Sequence, residues 1–130
     1  MRFIDVWNPT EAELREWAAD PDPGNSEEMP QDWELAIAEW THVDLITELA
    51  GDSSCPNRGF FLAVLYLMAG VCVRDRSGNS DIPHLRALLG RLEHTSSQPL
   101  GLFRARAEAL LARPSTFDYS KWCGGEYARE

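Results

Sequence analysis

The longest apolar run in the chain extends from Phe60 to Val73 and contains no charged residue. A membrane-spanning helix needs about 20 apolar residues, so this run of 14 is too short to be one. A run that is apolar on every side is typical of a helix buried at the centre of a globular domain. We therefore expect residues 60–73 to lie in the central helix of the fold, within a longer helix at 55–74.

The first predicted helix, at residues 8–20, has two candidate starts. Asn8 can cap it with Pro9 at the first helical position, or Thr10 can form a capping box with Glu13, two residues further on. A fourth helix should begin at Asp81 and end before residues 95–98. A fifth should occupy residues 99–113, because Pro114 cannot continue it.

Residues 32–50 are predicted to form the second helix, which ends at Gly51. Apolar side chains cover most of its circumference. Four polar positions share one arc of about 80° when the residues are placed at 100° steps, namely Glu34, Thr41, Asp44 and Glu48. This predicts a largely buried helix that meets solvent through a narrow acidic surface.

The remaining segments predict a single all-α domain over residues 1–130, a bundle of five to six helices around the buried central helix. Residues 20–32 hold three prolines and a glycine and no base, so they should form an acidic loop. Residues 115–130 are rich in aromatic side chains, which predicts a tail that folds back onto the bundle. One short extended piece is expected at residues 2–7.

Charge divides the chain into two unequal halves. The formal net charge is −9, and residues 1–54 hold 14 acids but only two bases, whereas residues 55–130 hold ten bases and seven acids. Nucleic-acid binding needs a basic face, so the balance argues against a nucleic-acid partner. It favours a basic protein as the partner of the acidic half.

The resulting hypothesis is a small protein-binding module that docks a basic protein. This is the physical type of toxin-neutralising (immunity-type) or inhibitory proteins. Tryptophans would anchor the partner and carboxylates would steer it. The expected contacts are Trp33, Glu34, Trp40, Asp44 and Glu48 on the second helix, with Asp22, Glu27 and Glu28 of the acidic loop. The alternative reading of these acids is an ordinary solvated face.

Titratable and nucleophilic groups do not form a recognisable catalytic or metal-binding motif. None of His42, His84 and His94 is spaced from a second ligand as a zinc site requires. The three cysteines, Cys55, Cys72 and Cys123, lack CxxC spacing and are typical of free thiols in a reducing compartment. We therefore expect no cofactor and no metal.

Two other functions remain open at this level. A small enzyme or enzyme subunit would need an interhelical cleft in which His42, His84 or Cys123 come together near a carboxylate. A homo-oligomeric structural protein, in the simplest case a homodimer, would bury Trp33 or Trp40 at a two-fold interface. The N-terminus shows no signal-peptide pattern, which predicts a cytoplasmic protein without a membrane partner.

Overall fold

The computed structural model describes residues 3–21, 30, 32–75 and 81–129. Across these residues the chain forms seven α-helices and no strand. The helices are α1 (Glu11–Ala18), α2 (Glu34–Ile37), α3 (Val43–Gly51), α4 (Arg58–Arg74), α5 (Ile82–Arg91), α6 (Gln98–Ala112) and α7 (Tyr119–Trp122). The predicted all-α bundle is confirmed.

Helix α4 is the centre of the bundle, as its apolar run predicts. Phe61, Val64 and Leu65 are fully buried, and the Tyr66 ring packs edge-on against Phe103 of α6 with 5.0 Å between centroids. The burial is nevertheless not uniform around the helix. One stripe of α4 is only partly covered, and it becomes important for the candidate site.

Helix α1 begins at the second of its two candidate starts. The Thr10 hydroxyl accepts a hydrogen bond from the Glu13 backbone N–H (3.1 Å), and a Glu13 carboxylate oxygen accepts one from the Thr10 N–H (2.9 Å). The other Glu13 oxygen accepts from the Ile4 N–H (2.8 Å), which ties the N-terminal segment to α1. These backbone hydrogen bonds lower the pKa of Glu13. The described part of the predicted extended piece, residues 3–7, forms turns and not a strand.

The prediction of one continuous helix at residues 32–50 is wrong. Helix α2 ends at Ile37, and Glu39 is extended (φ −122°, ψ 139°) before a 3₁₀ turn at Trp40–His42 leads into α3. A continuous helix would have left part of its nearly all-round apolar surface in water. The interruption lets α2 and α3 each turn their own apolar residues toward α4.

The C-terminal tail packs back onto α4. Trp122 is buried, and its ring lies 5.4 Å from the Tyr66 ring. Gly70 makes this close approach possible, because a Cβ at that position would lie only 2.7 Å from the Trp122 Cβ. Helix α6 contributes Arg106, whose guanidinium sits 3.9 Å from the centre of the Tyr127 ring. One side of α4 is thereby sealed.

Candidate functional site

Glu48, one of the predicted contact acids, is paired inside the fold. Its two carboxylate oxygens accept hydrogen bonds from both terminal nitrogens of Arg15 on α1, one of them at 3.2 Å. The same guanidinium also contacts Glu11 through Nε at 3.3 Å. The hydrogen bond from Arg15 lowers the pKa of Glu48, and the two carboxylates raise the pKa of Arg15.

Asp44, the next contact acid on α3, is matched by a different helix. Its Oδ1 lies 3.2 Å from the terminal nitrogen of Arg91 on α5, and both side chains are largely exposed. Arginines of α1 and α5 therefore form salt bridges with the exposed acids Asp44 and Glu48 of α3 within the molecule. The interruption at Glu39 also separates Glu34 from Asp44 and Glu48, so the predicted single acidic arc does not exist.

Three acids in the segment before α3 form no salt bridge with any residue in the part of the chain that the structure describes. They are Asp32, Glu34 and Glu39. Asp32 and Glu39 are exposed, and Glu34 is half-buried. The other predicted contact acids, Asp22, Glu27 and Glu28, lie outside the described residues. We call residues 32–40 the α2 segment.

The two tryptophans of the α2 segment differ in accessibility. Trp33 is only 3% exposed, its ring stacks on Phe60 at 5.3 Å, and its indole N–H donates to the Val6 carbonyl at 2.7 Å. Trp33 is therefore a core residue, and its predicted role as a contact or as part of a two-fold interface is corrected. Trp40 is half-buried and stacks on His84 of α5 with 5.8 Å between ring centroids.

A groove runs along the partly covered stripe of α4, which we call the α4 groove. It consists of two adjoining cavities, of about 380 Å³ and about 170 Å³, that meet at Leu67. Its floor is formed by Phe60, Ala63, Leu67 and Val71, of which Leu67 is buried and the other three are half-buried. The α2 segment forms one wall with Asp32, Glu34, Leu35, Ala38 and Trp40, and the tail forms the other with Tyr119, Cys123, Gly124 and Gly125.

The rims of the α4 groove carry apolar groups that meet solvent. Leu35 on the α2 side is 60% exposed, and Tyr119 on the tail side is 62% exposed. Because Trp33 stacks on Phe60, the carboxylates of Asp32 and Glu34 lie beside the N-terminal end of α4. The groove therefore combines an apolar floor and apolar rims with the carboxylates of Asp32 and Glu34 in one cavity and that of Asp81 in the other.

The groove does not have the chemistry of a thiol active site. Burial raises the pKa of the Cys123 thiol, and Arg74 opposes this only in part. Burial likewise raises the pKa of Cys72, to about 11. A nucleophilic thiol needs the opposite shift and a nearby base.

The histidines do not supply the missing base. No hydrogen bond or ring contact among the described residues joins His42, His84 and Cys123 to one another. Within that same part of the chain, no group of three His, Cys, Asp or Glu side chains is arranged to hold a metal ion.

Sequence reasoning missed the groove because it missed the end of α2. One signal was available: Trp40, Thr41, His42 and Val43 are four consecutive residues of weak helix propensity. No comparable sequence signal indicated that Asp44 and Glu48 have partners within the molecule. They depend on how α1 and α5 are placed beside α3.

No protein-family model, no curated protein and no solved structure matches this chain. Among the described residues, no helix combines the length and the apolar character needed to cross a membrane.

Proposed function

We propose that this chain is a protein-binding module that docks a basic partner protein, as an immunity-type or inhibitory protein does. The observation that carries the proposal is the contrast between two sets of acids. Asp44 and Glu48 on α3 are neutralised by arginines of the same molecule, whereas Asp32, Glu34 and Glu39 have no cationic partner among the described residues. Of the predicted contact acids that the structure describes, Glu34 alone forms no salt bridge, and Asp32 and Glu39 lie beside it on the α2 segment.

The surroundings of these acids support the same proposal. The α2 segment follows directly after the acidic loop, which adds Asp22, Glu27 and Glu28 in sequence and contains no base. Unpaired carboxylates next to exposed apolar side chains combine electrostatic steering with apolar contact area, as protein interfaces do. The three cysteines are free thiols, in keeping with the predicted reducing, cytoplasmic location.

The test compares capture of basic proteins by two charge-matched variants. One combines Asp32→Asn, Glu34→Gln and Glu39→Gln. The control combines Glu16→Gln, Glu93→Gln and Glu126→Gln, which removes the same charge from acids that also lack a salt bridge among the described residues. Circular dichroism and thermal unfolding verify that both variants keep the fold.

The immobilised wild type should retain a basic protein at low salt and release it at about 0.5 M salt, where screening is effective within a few ångströms. The α2-segment variant should lose about 3-fold to 150-fold in affinity, because three exposed charge pairs contribute about 0.2–1 kcal/mol each. The control variant should bind like the wild type. Equal losses in both variants, or binding that is unchanged at high salt, would contradict the proposal.

A further inference from the structure

We propose that the α4 groove takes a short amphipathic helix of the partner, with its apolar face on α4 and basic residues at the end beside Asp32 and Glu34. This inference rests on the proposed function and specifies the binding mode. The floor residues Phe60, Ala63, Leu67 and Val71 recur at steps of three and four, so they form one ridge of α4. At 1.5 Å per residue the ridge is about 17 Å long, which matches about three helical turns.

A helix fits this floor better than an extended segment. A peptide that binds by strand addition needs a sheet edge, and the described residues form no strand that could receive one. The floor of the groove is made of side chains of α4, whose backbone groups are already bonded within the helix. A helical ligand satisfies its own backbone hydrogen bonds and therefore needs none from this surface.

The charge at the rim selects a basic partner and disfavours a second copy of the chain. A second copy of the chain carries the same formal net charge of −9 and the same unpaired carboxylates, so it offers Asp32 and Glu34 no electrostatic attraction. A helix with Lys or Arg at one end meets Asp32 and Glu34 with opposite charge while its apolar face covers Ala63 and Leu67.

Cys123 offers a direct measure of groove occupancy, because it lines the tail wall and is half-buried. Cys55 is buried, lines neither cavity of the groove and serves as the internal reference, whereas Cys72 lines the smaller cavity and is not used as one. The experiment measures the alkylation rate of each thiol by mass spectrometry in the presence of synthetic peptides of about 14 residues. The first peptide contains Lys and Ala with Leu at helical spacing (i, i+3, i+4, i+7). The second is an isomer with alternating Leu, and the third has Glu in place of Lys.

At about ten times its Kd, the helical basic peptide should slow alkylation of Cys123 about tenfold, because only about a tenth of the chain remains free. The acidic peptide should not change the rate. Substitution of the floor residue by Ala63→Gln should abolish protection. The control Ala105→Gln, at an exposed position of α6, should leave protection intact.

The outcomes separate this inference from the proposed function. If the alternating isomer protects Cys123 equally well, the helical mode is wrong. If the helical basic peptide binds by fluorescence anisotropy without protecting Cys123, the groove is not its site. In both cases a dependence of partner capture on Asp32, Glu34 and Glu39 would leave the basic-partner function standing. Failure of the helical basic peptide to bind at all also overturns the helical mode.

Discussion

The two sides of α4 are built differently. On the side of the tail, Gly70 lets Trp122 approach closely, and Tyr66 is covered by Phe103 and Trp122. On the side of the α2 segment, Leu35 remains exposed at the edge of a groove. The same helix therefore closes the core on one side and presents an apolar stripe on the other. The sealed side should determine stability, whereas the α2 side should tolerate substitution.

Truncation of the two aromatic residues of α7 should give the largest contrast in stability. Trp122→Ala removes a buried ring from α4 and should lower the free energy of unfolding by about 3–5 kcal/mol. Tyr119→Ala removes an exposed ring from the groove rim and should change it by less than about 0.5 kcal/mol. Guanidinium denaturation of both variants measures the difference. Similar small losses would show that the tail does not seal α4.

Glycine-to-alanine substitutions should give effects of opposite sign. In Gly70→Ala the new methyl group would lie 2.7 Å from the Trp122 Cβ and 3.2 Å from a Phe117 ring carbon. The resulting strain should lower stability by about 1–3 kcal/mol. Gly101→Ala on α6 meets no atom within 4 Å and should raise stability by about 0.5–1 kcal/mol. Thermal unfolding that shows stabilisation in both variants would place the tail away from Gly70.

In the turn that leads into α2, replacement of Asp32 by alanine and by asparagine should affect stability differently. Asp32 has a φ of 62°, in the left-handed region, which Asn and Asp tolerate better than other side chains. Asp32→Ala should therefore lower the free energy of unfolding by about 1 kcal/mol, and Asp32→Asn should leave it nearly unchanged. Urea denaturation tests both, and an Ala variant as stable as the Asn variant would contradict this turn. The difference also makes Asn the appropriate substitution in the binding experiment.

The sealed side of α4 could be predicted from the sequence, and the open side could not. An uncharged apolar run identifies a buried helix because burying a charge is costly, and Pro114 and Ser97 bracket α6 through local backbone chemistry. These are properties of neighbouring residues. The predicted fifth helix at 99–113 accordingly lies within one residue of the observed Gln98–Ala112 at each end.

The groove and the charge pairs depend on contacts between distant residues. Arg15 and Glu48 are 33 positions apart, and nothing in their local sequence pairs them. No proline or glycine directly follows the end of α2 at Ile37. The helical spacing of apolar residues continues past this point, and the sequence therefore predicts one helix. The predicted acidic arc is therefore absent from the fold, because Asp44 and Glu48 on α3 have arginine partners whereas Glu34 on α2 has none among the described residues.

The smallest predicted effect is a pH-dependent change in stability that should appear for the paired acid Glu48 and not for the unpaired acid Glu34. The hydrogen bond from Arg15 holds the folded-state pKa of Glu48 below its ordinary value of 4.5. A folded-state pKa below the ordinary value stabilises the fold at pH values above about 4.5. This stabilisation is lost as the pH falls from about 4.5 through the folded-state pKa. The pair is exposed and screened, so the contribution should be about 0.2–1 kcal/mol.

Glu48→Gln should therefore be less stable than the wild type at pH 6, and the difference should shrink at pH 3. Glu34→Gln breaks no salt bridge among the described residues, so its stability relative to the wild type should not follow this pattern. Denaturation curves at the two pH values, repeated in 0.5 M salt, measure both variants. If Glu34→Gln instead reproduced the behaviour of Glu48→Gln, Glu34 would have an internal cationic partner. The charge proposed to attract a basic protein would then already be neutralised.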